Sequence, residues 1–152
     1  MILFLDFDGV LHPQYEHEPV PADLAFCHLA RFEALMREFP SVEIVISSTW
    51  REQFSMEVLR AKFSADIAAR IIGRTPLAAE ALPPHMVEVR EWEILAWLNA
   101  NNRQREEWIA LDDSAWQFKR HRSRLVACTS YTGLDSEAEA KLTKVLSATV
   151  RL

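Results

Sequence analysis

Glycine is scarce: Gly9, Gly73 and Gly133 are the only three in the 152-residue chain. Neither a Walker loop nor a Gly-x-Gly-x-x-Gly fingerprint can be built from them, which excludes a glycine-rich backbone cradle for nucleotides. Any phosphate must instead be held by a metal, by side chains or by helix N-terminal amides. Cysteine is scarcer still. Cys27 and Cys128 lie 101 positions apart, each inside a predicted element, and read as reduced core residues of a cytoplasmic protein. No His or Cys cluster has the spacing of a zinc site. No apolar run approaches the ~18 residues of a membrane span. The apolar start of the chain stops at Asp6 without a basic flank, which is not the pattern of a signal peptide. The net charge of −5 argues against broad nucleic-acid binding, although Lys119-Arg120-His121-Arg122-Ser123-Arg124 runs against that average. The length and an ordinary balance of 49% hydrophobic and 26% charged residues predict a single domain, residues 1–152, with a real core.

What the chain has in place of glycine loops is acid at strand ends. Met1-Ile2-Leu3-Phe4-Leu5 is apolar throughout and runs into Asp6-Phe7-Asp8-Gly9. A short run without polar alternation reads as a strand buried on both faces, as in a parallel sheet. Asp6 and Asp8 then point to one side, with Cα atoms roughly 6.5–7 Å apart in extended chain. Two carboxylates directly after such a strand repel each other and lose hydration unless a cation or a reaction uses them.

Further strands are predicted near 42–46, 71–73, 107–111 and 125–128, alternating with helices near 24–38, 50–63, 90–99, 115–120 and 136–148. Asp23 is the expected cap of the first helix. Thr49 with Glu52, and Ser136 with Glu139, fit capping boxes. Residues 76–89, with three prolines, read as irregular. The alternation predicts βαβ units and a parallel sheet, with ligands at the carboxyl ends of its strands. Asp6/Asp8, Ser47/Ser48 and Asp112/Asp113 all fall at such ends.

This set suits phosphate chemistry. Clustered aspartates suit Mg²⁺, which takes a few carboxylate oxygens and keeps waters. Asp-x-Asp-Gly lacks the further ligands and the flanking helix of a calcium loop. Asp6 can attack phosphorus in line, and Asp8 can protonate the leaving oxygen. Ser47 or Ser48 can donate to a phosphoryl oxygen, and an arginine can balance its charge.

Asp6-Phe7-Asp8-Gly9-Val10-Leu11 resembles the first motif of haloacid-dehalogenase (HAD) superfamily phosphatases, and Asp112-Asp113 resembles their fourth. The resemblance spans nearly the whole chain. It implies a three-layer Rossmann-like fold with a central parallel sheet of about five strands in the order 5-4-1-2-3. It also implies a Mg²⁺-dependent phosphatase working through an aspartyl-phosphate. By the same resemblance, the metal is held by the Asp6 carboxylate, the Asp8 carbonyl and Asp113, with Asp112 in support. Ser48 is the expected second-motif residue, with Ser47 next, because Thr49 is expected to be occupied as a cap. Arg90, at a predicted helix start, is the expected third-motif residue, with Arg74 and Arg51 as rivals.

Residues 12–23 and 64–89 are too short for the family's cap domain, which implies an open site and a large substrate. Ser48-Thr49-Trp50-Arg51 together with Arg90 is similar to small HAD domains associated with polynucleotide end repair. A phosphorylated nucleic-acid end is therefore the first expected substrate, and a phosphoprotein the second. The rival readings are a phosphotransferase or dehalogenase on the same scaffold and a non-catalytic regulatory protein. Asp8 and the Asp112-Asp113 pair argue against the dehalogenase, and intact carboxylates disfavour the non-catalytic protein.

Overall fold

Strand β1 (Ile2–Leu5) is buried along its whole length and sits at the centre of the sheet. The computed structural model describes residues 1–78 and 82–150. Its five strands are β1, β2 (Glu43–Ile46), β3 (Ile71–Arg74), β4 (Trp108–Asp112) and β5 (Leu125–Ala127). They form one parallel sheet in the order β3-β2-β1-β4-β5, the order expected for a HAD-type fold. Parallel neighbours need crossovers, and the helices in them are α1 (Leu29–Glu38), α2 (Met56–Arg60), α3 (Ala65–Ala68) and α4 (Val89–Ala100), while α5 (Ser136–Val150) follows β5.

Strand alternation divides the core into two layers. Leu3 and Leu5 of β1 join Ile44 and Ile46, Ile109 and Leu111, and the inner faces of α1, α2, α3 and α5. Ile2 and Phe4 face the other way, with Val45, Trp108, Ala110 and the α4 residues Ile94, Trp97 and Leu98. Helices therefore cover both faces, and every strand residue of β1 and β4 is buried. Arg51 ties the loops after β2 and β3 together. Its guanidinium donates to the carbonyls of Ser48, Thr75 and Pro76 and pairs with Glu93 of α4 at 2.7 Å.

Several local expectations are corrected. The first helix begins at Leu29, not near residue 24, because Phe26 adopts a left-handed φ of 54° that breaks the turn; only Ala22–Leu24 form a short 3₁₀ segment before it. Asp23 therefore caps nothing in α1. The expected 50–63 helix is two pieces, 3₁₀ turn Thr49–Glu52 and α2, each capped by a serine: Ser48 accepts from the Trp50 amide and Ser55 from the Val58 amide. In α5, Asp135 rather than Ser136 accepts the early amide, that of Ala138, at 2.9 Å. Residues 115–120 hold only a 3₁₀ turn, Ala115–Gln117. Cys27 is exposed and not a core residue, while Cys128 is buried; both are free. Part of the 76–89 stretch, residues 79–81, lies outside the described residues. Among the described residues no helix or strand intervenes between β3 and α4, so no cap is built there. No described helix is long and apolar enough to cross a membrane.

Candidate active site

Parity along the strands assembles the site. Ile2 and Phe4 face α4, so the next residue of the same parity, Asp6, does too. Trp108 and Ala110 put Asp112 on that face, and Val45 puts Ser47 there. Helix α4 opens on the same face with Arg90, followed one and two turns later by Ile94 and Trp97 in the core. The guanidinium thus meets both carboxylates: Arg90 Nη1 lies 3.4 Å from Asp6 Oδ1 and Nε 3.5 Å from Asp112 Oδ2. Nη1 is buried and makes no hydrogen bond among the described residues.

Asp113 has the opposite parity and turns toward the loops. Its Oδ2 accepts from Ser130 at 2.7 Å, after β5, and its Oδ1 accepts from Ser114 at 3.3 Å. Gly9 makes room for it. The backbone there has φ +72°, and a Cβ would stand 2.1 Å from Asp113 Oδ2, so no other residue fits without displacing the carboxylate. Oxygens of Asp6, Asp112 and Asp113 all lie within 4.8 Å of one another. Oxygen donors alone, closely spaced and buried, suit a hard divalent cation.

The cluster carries its electrostatic cost openly. Burial, with the charges of Asp112 and Asp113, holds the Asp6 carboxyl well above the usual carboxylate range, against the pull of Arg90. Burial likewise raises Asp112 to about 6, although Arg90 and the Ser114 amide oppose it. Asp8 differs. Burial pushes it up, but hydrogen bonds from His12 Nε2 at 2.8 Å and Trp50 Nε1 at 3.0 Å outweigh that and bring it below its ordinary value. The Phe26 amide donates to His12 Nδ1, so the ring carries its proton on Nε2 and gives it to Asp8. The strained φ of Phe26 is therefore part of the support for Asp8.

The expected residues do not all converge. Asp6, Asp8, Arg90 and Asp113 line one cavity of about 480 Å³, with Thr49, Ser114 and Ser130. Asp112 is buried behind it. Ser47 and Ser48 are both buried. The Ser48 hydroxyl is engaged by the Trp50 amide, so the cap expected of Thr49 falls to Ser48, and Thr49 is free to line the cavity. Ser47 Oγ is buried without a hydrogen bond among the described residues. Of the rival arginines, Arg51 is consumed by Glu93 and loop carbonyls, and Arg74 donates to the carbonyls of Arg51 and Phe54. The basic run at 119–124 is held by Glu91, which accepts from the amides of Lys119, Arg120 and His121. Trp50 as partner of Asp8 and Ser130 as partner of Asp113 had no signal in sequence spacing, since each arrives from another loop, whereas His12 reaches Asp8 from four positions on in the same loop.

The family of the HAD domain in Swiss Army Knife RNA repair proteins matches the chain over residues 2–138. No curated protein and no solved structure matches it.

The raised carboxyls make a pH prediction. A group with a folded-state pKa above its unfolded value stabilises below the unfolded value and loses that contribution as pH rises through the folded one. For Asp112 that window runs from the ordinary 3.8 to about 6. In chelator, Asp112→Asn should match the wild type near pH 4 and exceed it at pH 7 by on the order of 2–3 kcal/mol in urea unfolding. A difference that stays flat across that window would mean that burial does not raise the Asp112 carboxyl.

Proposed function

Because the chain belongs to the family of HAD domains of Swiss Army Knife RNA repair proteins, and is thus a hydrolase of the phosphatase type, we propose that it is a Mg²⁺-dependent phosphomonoesterase. Its nucleophile is Asp6 and its intermediate an aspartyl-phosphate. The observation that carries this reading is the buried acid trio, two of its members faced by Arg90, whose Nη1 has no hydrogen bond among the described residues. A buried donor left unbonded costs about 1–3 kcal/mol and is retained where a ligand completes it.

Asp6, Asp113 and the Asp8 carbonyl would hold the metal, with Asp112 behind them. When bound, Mg²⁺ supplies the positive charge that lets a carboxylate approach an anionic phosphate. Asp6 attacks phosphorus in line, the bond from phosphorus to the ester oxygen breaks, and the Asp8 proton goes to that oxygen. Water then attacks the phosphorus of the acyl-phosphate and gives a proton to Asp8. Asp6 is regenerated and phosphate leaves. Arg90 Nη1 donates to a phosphoryl oxygen as charge grows on it. Ser47, on the α4 face and with its hydroxyl unbonded among the described residues, is the favoured second donor. Ser48 supports the turn that carries Thr49.

The substrate we propose is large, a phosphorylated nucleic-acid end. The missing cap and the RNA repair setting of the family support this, since a polymer offers binding energy away from the reacting phosphate. Two unbridged cysteines agree with a cytoplasmic setting.

Asp6→Asn should abolish phosphate release from a phosphorylated oligonucleotide, and chelation should abolish it in the wild type, with Mg²⁺ restoring it better than Ca²⁺. Turnover surviving in Asp6→Asn would rule out this nucleophile. The pH profile tests Asp8. Its depressed pKa leaves little of the acid form at neutral pH, so kcat/KM for an alkyl phosphate should fall as pH rises. Trp50→Phe removes a donor to the Asp8 anion, raises its pKa and should move that falling limb to higher pH. An aryl phosphate, whose leaving oxygen needs no proton, should show no such movement. Identical shifts for both esters would place the effect elsewhere.

A further inference from the structure

Resting on the phosphatase reading of the same site, we propose that the mouth of the catalytic cavity is a stacking platform for the nucleobase at a phosphorylated end, built from Trp116, Tyr131 and Tyr15. These three aromatic side chains line the cavity that also holds Asp6, Arg90 and Asp113. Each comes from a different loop at the carboxyl end of the sheet: Tyr15 after β1, Trp116 after β4, Tyr131 after β5. Trp116 is 66% exposed and Tyr131 55% exposed. Neither belongs to the core, so the stability of the fold does not account for them.

Their placement is built. The Gln14 amide donates to the Ser130 carbonyl at 2.7 Å, and the Leu134 amide to the Val10 carbonyl at 2.8 Å, stitching the loops after β1 and β5 together. Gly133, at φ +63°, allows the close approach; a Cβ there would stand 2.7 Å from the Val10 carbonyl oxygen. The tyrosine rings are consequently stacked, with centroids 6.0 Å apart and planes at 29°. Aromatic surface held open to water beside a reaction centre suits a flat π-system.

Charge excludes the alternative means of gripping a polynucleotide. The cavity lining includes four acidic residues, Asp6, Asp8, Glu16 and Asp113, and one cation, Arg90, which already faces Asp6 and Asp112. A backbone of phosphates finds no row of lysines or arginines among the described residues of this cavity, and even one bound divalent cation leaves that lining short of positive charge. Uncharged contact with the terminal nucleoside is what remains. It places the scissile phosphate at Asp6 and lets the rest of the strand leave the cavity. Base stacking is tolerant of sequence, so the platform selects for the presence of a base and not for its identity.

The experiment is a pair of calorimetric titrations with Mg²⁺ present. One ligand is a short oligoribonucleotide carrying a non-hydrolysable terminal phosphonate; the other is the same strand with an abasic terminal residue. The wild type should bind the base-bearing end on the order of ten- to a hundred-fold more tightly. Trp116→Ala and Tyr131→Ala should each pull that ratio toward one, and Tyr131→Phe, which keeps the ring, should retain it. Equal affinity for the two ends, or a ratio indifferent to both alanine variants, overturns the proposal. Tighter binding of a phosphonate analogue of phosphotyrosine in a peptide also overturns it, by giving the platform to a protein side chain. Phosphate release is a separate readout. Its absence would remove the phosphatase reading, while the affinity ratio still decides the platform.

Discussion

Three carboxylates stand within 4.8 Å of one another at the ends of two adjacent parallel strands, and one buried guanidinium faces two of them. Like charges so close in a poorly solvated site cost stability, and the rest of the architecture holds them there against that cost. The ladder from β1 to β4 continues past the strand, with the Asp6 amide donating to the Leu111 carbonyl at 3.1 Å, and sets the two strand ends level. Helix α4 brings Arg90 to the shared face. Gly9 clears the space into which Asp113 turns. Each of these features is ordinary by itself. Burial and the shared negative charge keep Asp6 and Asp112 raised in pKa against the pull of Arg90, a state that a divalent cation relieves.

A second arrangement, around Asp8, works in the opposite sense. There the neighbours are donors, His12 and Trp50, and the carboxyl is lowered. Two aspartates two residues apart thus acquire different protonation behaviour from their surroundings, which suits a nucleophile that must shed its proton and a group that carries one in both directions. The aromatic cluster of Phe7, Phe26 and Trp50 fixes the second environment. Their rings pack edge to face, with centroids 5.3–5.8 Å apart. Phe26 supplies the amide that orients His12, and Trp50 donates to Asp8 itself, so the packing of that layer reaches the reacting groups through one backbone and one side-chain hydrogen bond.

Much of this was legible in the sequence because it follows from alternation. An apolar run ending in Asp-x-Asp-Gly, a second ending in Asp-Asp and a serine pair between them specify a parallel sheet with acid at one end. Parity goes further: Ile2, Phe4 and Asp6, then Val45 and Ser47, then Trp108, Ala110 and Asp112 share one face, which is why Asp112 meets Arg90 while Asp113 does not. The same rule separates Ser47 from Ser48. What alternation does not encode is contact between loops. Trp50 reaching Asp8 across 42 positions, and Ser130 reaching Asp113 across 17, depend on turns whose form is decided by tertiary packing. Helix starts failed for a related reason. Asp23 has the chemistry of a cap, but the left-handed Phe26 between it and α1 breaks the turn. Thr49 is an equally good cap by type, but Ser48, one residue earlier, takes that place.

The claim that Asp6 forms a covalent bond to phosphorus has a direct test. Asp8→Asn, mixed with an aryl phosphate and Mg²⁺, should accumulate the acyl-phosphate, because its leaving group needs no proton while hydrolysis has lost its base. Borohydride reduces an acyl-phosphate to the alcohol, and peptide mass mapping then locates the modified residue. The account predicts reduction at Asp6 and at no other carboxylate. An unmodified Asp6 with phosphate still released, or modification at Asp8, Asp112 or Asp113 in its place, would contradict it.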